Sequence, residues 1–272
     1  MISVAAPAAM VLRARLGAGI ILAAVALFTV HFFLRPYPHP VAVGGAGLLV
    51  VVALAFRAWQ AAQVALLLLL IPALARVWPV QWPLWLLGPL ALWGMMVAPL
   101  RPLRRTVGWL RVGRLSGSVW ALVGATVLAS GLALWLWFLL AGSDLERWRR
   151  LVPQWSLAAL VAGGCAFALL NAAMEETVWR GVVMDGLDSA FGPGHTSVVA
   201  QAISFGVVHM EGMPSGWLGV AMAMVYGVML GYLRRWSGGL LAPFVAHVLA
   251  DMIIFAIVVW VLTARTLPIR FH

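Results

Sequence analysis

The sequence contains no lysine and only 8 acidic residues, and charged residues make up 10% of its 272 positions. A soluble domain of this length carries about a quarter charged residues, which it needs to cover its surface. Apolar residues instead make up 64% of the chain, and the mean hydropathy is +1.02. So much apolar surface must face lipid, which excludes an ordinary soluble globular protein.

Cysteine is also nearly absent. Cys165 is the only one, so the chain cannot form an internal disulfide and offers no cysteine cluster for a zinc ion. Its neighbours are mainly small and apolar. We therefore interpret Cys165 as a small core residue rather than as a nucleophile.

All 18 basic residues are arginines, and they give the chain a net charge of +10. In a soluble protein such a charge would suggest nucleic acid. Here most arginines lie between apolar runs, where the excess of positive charge on cytoplasmic loops explains them. We therefore predict no nucleic-acid partner, and we assign the most basic loop, residues 101–114, to the cytoplasm together with the N-terminus.

Nine apolar stretches approach the length of about 20 residues that a helix needs to cross a bilayer. They lie near residues 16–34, 41–56, 58–78, 82–100, 117–141, 155–179, 196–212, 216–233 and 239–263. The second is short and Pro72 interrupts the third. The sequence therefore predicts an all-α fold, a polytopic transmembrane helical bundle with eight or nine spans. Because no small-residue cleavage pattern follows the first stretch, we predict that it is retained as an anchor.

The acidic residues divide the chain into two parts. Residues 1–100 contain no Asp or Glu, and all eight acids lie after position 143. We predict an N-terminal unit, residues 1–116, made of transmembrane helices and the basic cytoplasmic loop. Residues 117–272 form a second transmembrane core, which we expect to carry the chemistry.

The first cluster of ionisable residues ends the sixth apolar stretch. A charged residue inside a spanning helix costs about 2.5–3.5 kcal/mol on insertion scales, so it indicates function by default. Glu176 and Arg180 are four residues apart and can pair on one helix face. Glu175 points about 100° away. An ion pair that ends a helix would account for Glu176 and Arg180, but it leaves Glu175 without a partner.

Two further clusters lie in later apolar stretches. Phe205 and His209 share a helix face, and Gly206 between them allows another backbone to approach closely. His247 and Asp251 also share a face, at a spacing of four residues. A lone histidine is often structural, and a simple His247–Asp251 hydrogen bond could satisfy both side chains. The coincidence of three such clusters nevertheless favours one polar site inside a helical bundle.

Together these residues resemble the CAAX prenyl protease and bacteriocin-processing (CPBP, or Abi) family of intramembrane peptidases. The signature of that family is Glu-Glu-x-x-x-Arg, Phe-x-x-x-His and His-x-x-x-Asn/Asp on three successive core segments. This sequence has Glu175-Glu176 with Arg180, then Phe205 with His209, then His247 with Asp251, in that order. The resemblance covers roughly residues 155–263, and residues 1–150 add no recognisable signature.

The resemblance implies a glutamate-dependent endopeptidase whose active site lies inside the bilayer. Carried over by motif, Glu175 and His209 would activate the attacking water, and His247 and Asp251 would stabilise the oxyanion. The supporting residues would be Glu176, Arg180 and Phe205. The implied partners are the lipid bilayer and a peptide or protein substrate with a membrane-embedded or lipid-anchored segment. We expect a multi-pass protein of the bacterial cytoplasmic membrane.

We expect no cofactor. The sequence has no His-Glu-x-x-His zinc motif, and His together with the family's Asn at the last position suits an oxyanion site better than a ligand set. A divalent metal such as zinc is the alternative, because the acidic and histidine residues of the three clusters could ligate one.

Two other classes of function remain open. A non-catalytic membrane scaffold of the same fold would most naturally lack one catalytic position, and none is lacking here. A proton-coupled transporter also uses buried Glu and His residues. It would usually show internal repeats with matching broken helices, and none stands out in this sequence.

Overall fold

A computed structural model describes residues 8–34, 39–75, 84–140 and 153–264. Within these ranges every regular element is a helix, which confirms the all-α prediction for this part of the chain. The tetrapeptide 35–38 that follows the first predicted span lies outside the described residues.

The N-terminal helices pack together around an apolar core. Helices α1, α2 and α3 contact one another, and α1 also packs against helices of the second half. Pro72 lies in the last turn of α3. Because proline has no backbone N–H and its ring clashes with the preceding turn, the helix ends soon after it. The helices of this half are α1 (Ala8–Phe33), α2 (His39–Ala55), α3 (Trp59–Leu74), α4 (Leu87–Val97) and the short α5 (Arg101–Arg104).

The C-terminal helices surround the predicted site. They are α6 (Gly117–Leu140), α7 (Leu157–Glu175), a π-helical segment called here the π segment (Glu176–Val183), α8 (Met184–Phe191), α9 (His195–Val208), α10 (Gly216–Ser237) and α11 (Leu241–Ala264). A 3-10 turn, His209–Glu211, extends α9. Helix α11 packs against α6, α7 and α10, so it lies in the middle of this half.

Among the described residues, five helices are long and apolar enough to cross a membrane, which makes the chain an integral membrane protein. They are Val11–Phe33, Gly117–Leu140, Leu157–Phe191, Gly216–Ser237 and Leu241–Trp260. Three apolar helices are shorter, Pro40–Ala55, Trp59–Leu74 and Leu84–Val97. The count of eight or nine spans therefore stays a prediction.

Helix α9 corresponds to a predicted span but has only 14 residues. At 1.5 Å per residue it is about 21 Å long, which is less than the ~30 Å hydrocarbon core of a bilayer. It packs instead against α1, α8 and α10. A Cβ at Gly206 would lie 2.8 Å from the Val220 carbonyl oxygen of α10. The glycine therefore permits the close helix contact that the sequence predicts.

The basic loop before α6 contacts the turn between α10 and α11. Its backbone pairs with the turn that precedes α11, through Arg114 N to Ser237 O (2.7 Å) and Leu240 N to Arg111 O (2.8 Å). Gly113, with a φ of +86°, has no room for a side chain, because a Cβ there would lie 2.7 Å from the Gly239 amide nitrogen. The loop thus fixes where α11 begins.

Candidate active site

The π segment carries two of the predicted site residues at the end of α7. Single π-helical turns often occur at functional sites, because the wider turn redirects side chains. Glu176 and Arg180 lie in this segment and form a buried salt bridge of 3.0 Å between Oε1 and Nη1. The pairing expected from their spacing is confirmed, although the helix that holds it is not a regular α-helix.

Aromatic side chains enclose Arg180. Its guanidinium lies 4.3 Å above the centre of the Phe205 ring, a cation–π contact that α9 supplies. Trp179 meets the same ring edge-on at 5.3 Å and donates from Nε1 to the Ser204 hydroxyl at 3.4 Å. Phe205 therefore joins the π segment to α9 and fixes the Arg180 side chain between them.

The ring of His247 lies among three carboxylates. Its Nδ1 donates to Glu176 Oε1 at 2.8 Å, because a carboxylate at hydrogen-bond distance is the accepting partner. Its Nε2 faces Glu175 Oε2 at 3.6 Å and Asp251 Oδ1 at 3.8 Å. The simple His247–Asp251 hydrogen bond considered from the sequence is therefore not formed, and His247 is held by Glu176 instead.

His209 points from the end of α9 toward Glu175. Its Nδ1 donates to the Phe205 carbonyl oxygen at 2.7 Å, which leaves Nε2 as the accepting nitrogen of the neutral ring. That nitrogen lies 3.9 Å from Glu175 Oε2. The His209 side chain is 23% exposed, whereas that of Glu175 is 7% exposed. His209 is thus the most accessible of the four residues predicted to be catalytic.

Asp251 has a partner that the sequence interpretation missed. Asn171 donates from Nδ2 to Asp251 Oδ2 at 3.1 Å, and both side chains are buried. Asn171 lies on α7, one turn before Glu175. The available signal was a single amide side chain in an apolar stretch, four residues before a predicted site residue and so on the same helix face.

A cavity of about 350 Å³ opens beside the cluster. Its polar walls include His209, His247, Asp251 and Tyr226, while the remaining lining is mostly alanine, methionine and other apolar residues of α6, α10 and α11. Tyr226 donates to the Ala246 carbonyl oxygen at 3.2 Å and packs edge-on against the His247 ring at 5.6 Å. Sequence reasoning did not identify Tyr226.

The structure thus brings together all seven residues predicted from the sequence. Three carboxylates, two imidazoles and one guanidinium share a mostly buried volume, where an unpaired charge would be costly. No group of three or more His, Cys, Asp or Glu side chains in the described ranges has a geometry that could hold a metal ion. The expectation that catalysis needs no cofactor stays a prediction.

Comparison with known proteins finds a family match over the region that contains this site. The family model described as type II CAAX prenyl endopeptidase Rce1-like matches residues 154–253. The matched segment runs from the start of α7 into α11 and contains all seven predicted residues. No curated protein and no solved structure gives a significant match to the chain.

Proposed function

We propose that this chain, whose residues 154–253 match the Rce1-like family model, is an endopeptidase that hydrolyses a peptide bond with water activated by Glu175 and His209. One observation carries the proposal. The acceptor atoms Glu175 Oε2 and His209 Nε2 face each other across 3.9 Å, and His209 lines a cavity whose walls are mainly apolar.

Water activation follows from that separation. A distance of 3.9 Å is too long for a direct hydrogen bond, and a water placed between two acceptors can donate one O–H to each. Glu175 takes one proton as the oxygen attacks the carbonyl carbon, and it later returns a proton to the leaving amine. His209 accepts the other O–H and orients the lone pair of the water toward the substrate.

The developing oxyanion needs donors on the opposite side. His247 Nε2 is directed into the cluster because Nδ1 is held by Glu176, so an N–H at Nε2 would point toward the substrate carbonyl. Asp251 lies beside it and lines the same cavity. We propose that Asp251 donates in its protonated form. One such donor typically contributes about 100–1,000-fold to the rate.

Glu176 and Arg180 support this arrangement without touching the substrate. Glu176 Oε1 accepts from both Arg180 and His247. It thereby connects the buried guanidinium to the imidazole that faces the reaction. Arg180 supplies the positive charge that makes a carboxylate tolerable in this position.

The cavity favours a substrate with an apolar segment. Its α6 wall consists of Ala129, Ser130, Ala133 and Leu134, and much of the α10 wall is methionine and alanine. Methionine adapts its shape to irregular apolar partners. We propose a peptide or protein whose scissile bond is delivered by a membrane-embedded or lipid-anchored segment.

Mass spectrometry of membrane-protein termini tests the proposal. Cells that express the unaltered chain should contain new termini that are missing when Glu175→Ala is expressed at the same level. The control is Glu211→Ala, which alters an exposed carboxylate outside the cluster. Identical termini in all three strains would contradict the peptidase and favour a non-catalytic scaffold.

A further inference from the structure

Helices α7 and α11 run side by side in opposite directions along a tightly packed seam. At one end a Cβ on Gly164 would lie 2.7 Å from the Phe255 ring. Further along, Asn171 donates to Asp251 at 3.1 Å. One turn later Glu175 faces His247 at 3.6 Å. Along α7, the Asn171–Asp251 contact therefore lies one helical turn before the contact between Glu175 and His247.

The direction of this hydrogen bond distinguishes the two oxygens of Asp251. The amide N–H of Asn171 donates, so Oδ2 is an acceptor and cannot carry a proton toward Asn171. The other oxygen, Oδ1, lies on the side of His247 Nε2. Because Asn171 is buried, leaving its N–H without a carbonyl acceptor would be costly, which disfavours placing the acid proton on the oxygen that faces Asn171.

We propose that Asn171 is a positioning residue that determines which atom of residue 251 faces the substrate. By holding Oδ2, it leaves Oδ1 as the atom that bears the proton and donates to the oxyanion. The inference rests on the proposed peptidase function. It adds a residue on α7 that acts on the substrate only through Asp251.

The same reasoning extends to an asparagine at position 251. In Asp251→Asn, the amide oxygen would take the place of Oδ2 and accept from Asn171. The NH₂ group would then occupy the place of Oδ1 and donate at the reaction site. The reversed pair, Asn171→Asp with Asp251→Asn, keeps an interhelical hydrogen bond but turns the amide. The NH₂ then points at residue 171, and the carbonyl oxygen faces His247.

The experiment compares these variants at equal amounts of folded protein. The cleavage rate is measured in purified membranes as the rate at which the most abundant new terminus forms. Thermal unfolding is measured in detergent. We expect Asp251→Asn to cleave within about tenfold of the unaltered chain. The reversed pair should unfold within a few degrees of Asp251→Asn yet cleave about 100-fold more slowly, the scale of one lost oxyanion contact. Adding Asn171→Ala to Asp251→Asn should also lower cleavage about 100-fold.

Gln201→Ala is the matched control. It removes a buried amide hydrogen bond between α9 and α10, from Gln201 Nε2 to Gly227 O at 2.8 Å, outside the cluster. It should lower thermal stability while cleavage per folded molecule stays the same.

Two outcomes would overturn the inference. Either the reversed pair cleaves as fast as Asp251→Asn, which would make Asn171 a merely structural partner, or Asp251→Asn is itself inactive. Glu175→Gln in the same assay separates these outcomes from failure of the proposed function. If Glu175→Gln still cleaves, the peptidase mechanism is wrong, and if only the Asn171 variants behave unexpectedly, the error concerns Asn171 alone.

Discussion

Breaking the Glu176–Arg180 pair should cost stability as well as activity. Both side chains are buried, and Arg180 has no other acidic partner within salt-bridge distance among the described residues. Glu176→Gln would leave a buried guanidinium without its counter-charge, a change that typically costs ~3–5 kcal/mol. Thermal unfolding in detergent should show a large decrease in melting temperature. Glu175→Gln serves as the comparison. Similar decreases in melting temperature for both variants would contradict the special role of Glu176 as the partner of buried Arg180.

The pH dependence of cleavage should reveal whether Asp251 donates. An ionised carboxylate has no proton to donate, whereas the amide of Asp251→Asn can donate at any pH. We therefore expect Asp251→Asn to keep most of its activity and to extend it to higher pH. A pH–rate profile in membranes measures this. A loss of more than about 100-fold at every pH would mean instead that a charged Asp251 orients His247.

Single residues could be predicted from the sequence where their partner lies on the same helix. The Glu176–Arg180 salt bridge follows from a spacing of four residues. The partners of His247 and Asp251 could not be predicted in this way. Glu176 is 71 and Asn171 is 80 positions away from them, and one sequence contains no information on which helix faces come together across such separations.

Helices were predicted well by position and poorly by type and length. Apolar composition locates α6, α10 and α11 because long runs of apolar residues have few alternatives in a membrane. It does not reveal the π segment, since eight residues are too few for a change in helical periodicity to be visible. Nor does it reveal that α9 is too short to span, because the predicted stretch 196–212 also includes the 3-10 turn His209–Glu211, where the α-helix has already ended.

Gly239→Ala tests how strongly the basic loop fixes α11. A Cβ on Gly239 would clash with the backbone of Val112 and Gly113, which cannot rotate away as a side chain can. We expect a loss of about 1–3 kcal/mol, the usual scale of overpacking, and a lower cleavage rate because α11 carries His247 and Asp251. Gly124→Ala in α6, where nothing lies within 4 Å of the added Cβ, is the control and should not lower either quantity. Equal behaviour of the two variants would mean that the loop does not determine the position of α11.

At the scale of the whole molecule, the division at residue 116 stays a prediction. All seven predicted site residues lie after it. Helix α1 nevertheless packs against α8 and α9, and Gln60 of α3 donates to Asp185 of α8 at 2.8 Å. Residues 1–100, which contain no acidic residue, therefore contact the C-terminal half directly. Composition could separate the halves by chemistry, but it could not predict these contacts between them.

Catalysis by the whole enzyme should not depend on a metal ion. Two of the four imidazole nitrogens in the cluster are already used, since Nδ1 of His209 donates to Phe205 O and Nδ1 of His247 to Glu176 Oε1. The remaining Nε2 atoms have the donating and accepting roles proposed above, which leave water activation to Glu175 and His209 without a metal ion. Protein dialysed against a chelator should cleave at an unchanged rate, and elemental analysis should find no stoichiometric zinc. The same chelator saturated with zinc is the control for effects other than metal removal. Loss of cleavage that zinc restores, with about one metal ion per chain, would replace the glutamate mechanism by a metal-dependent one.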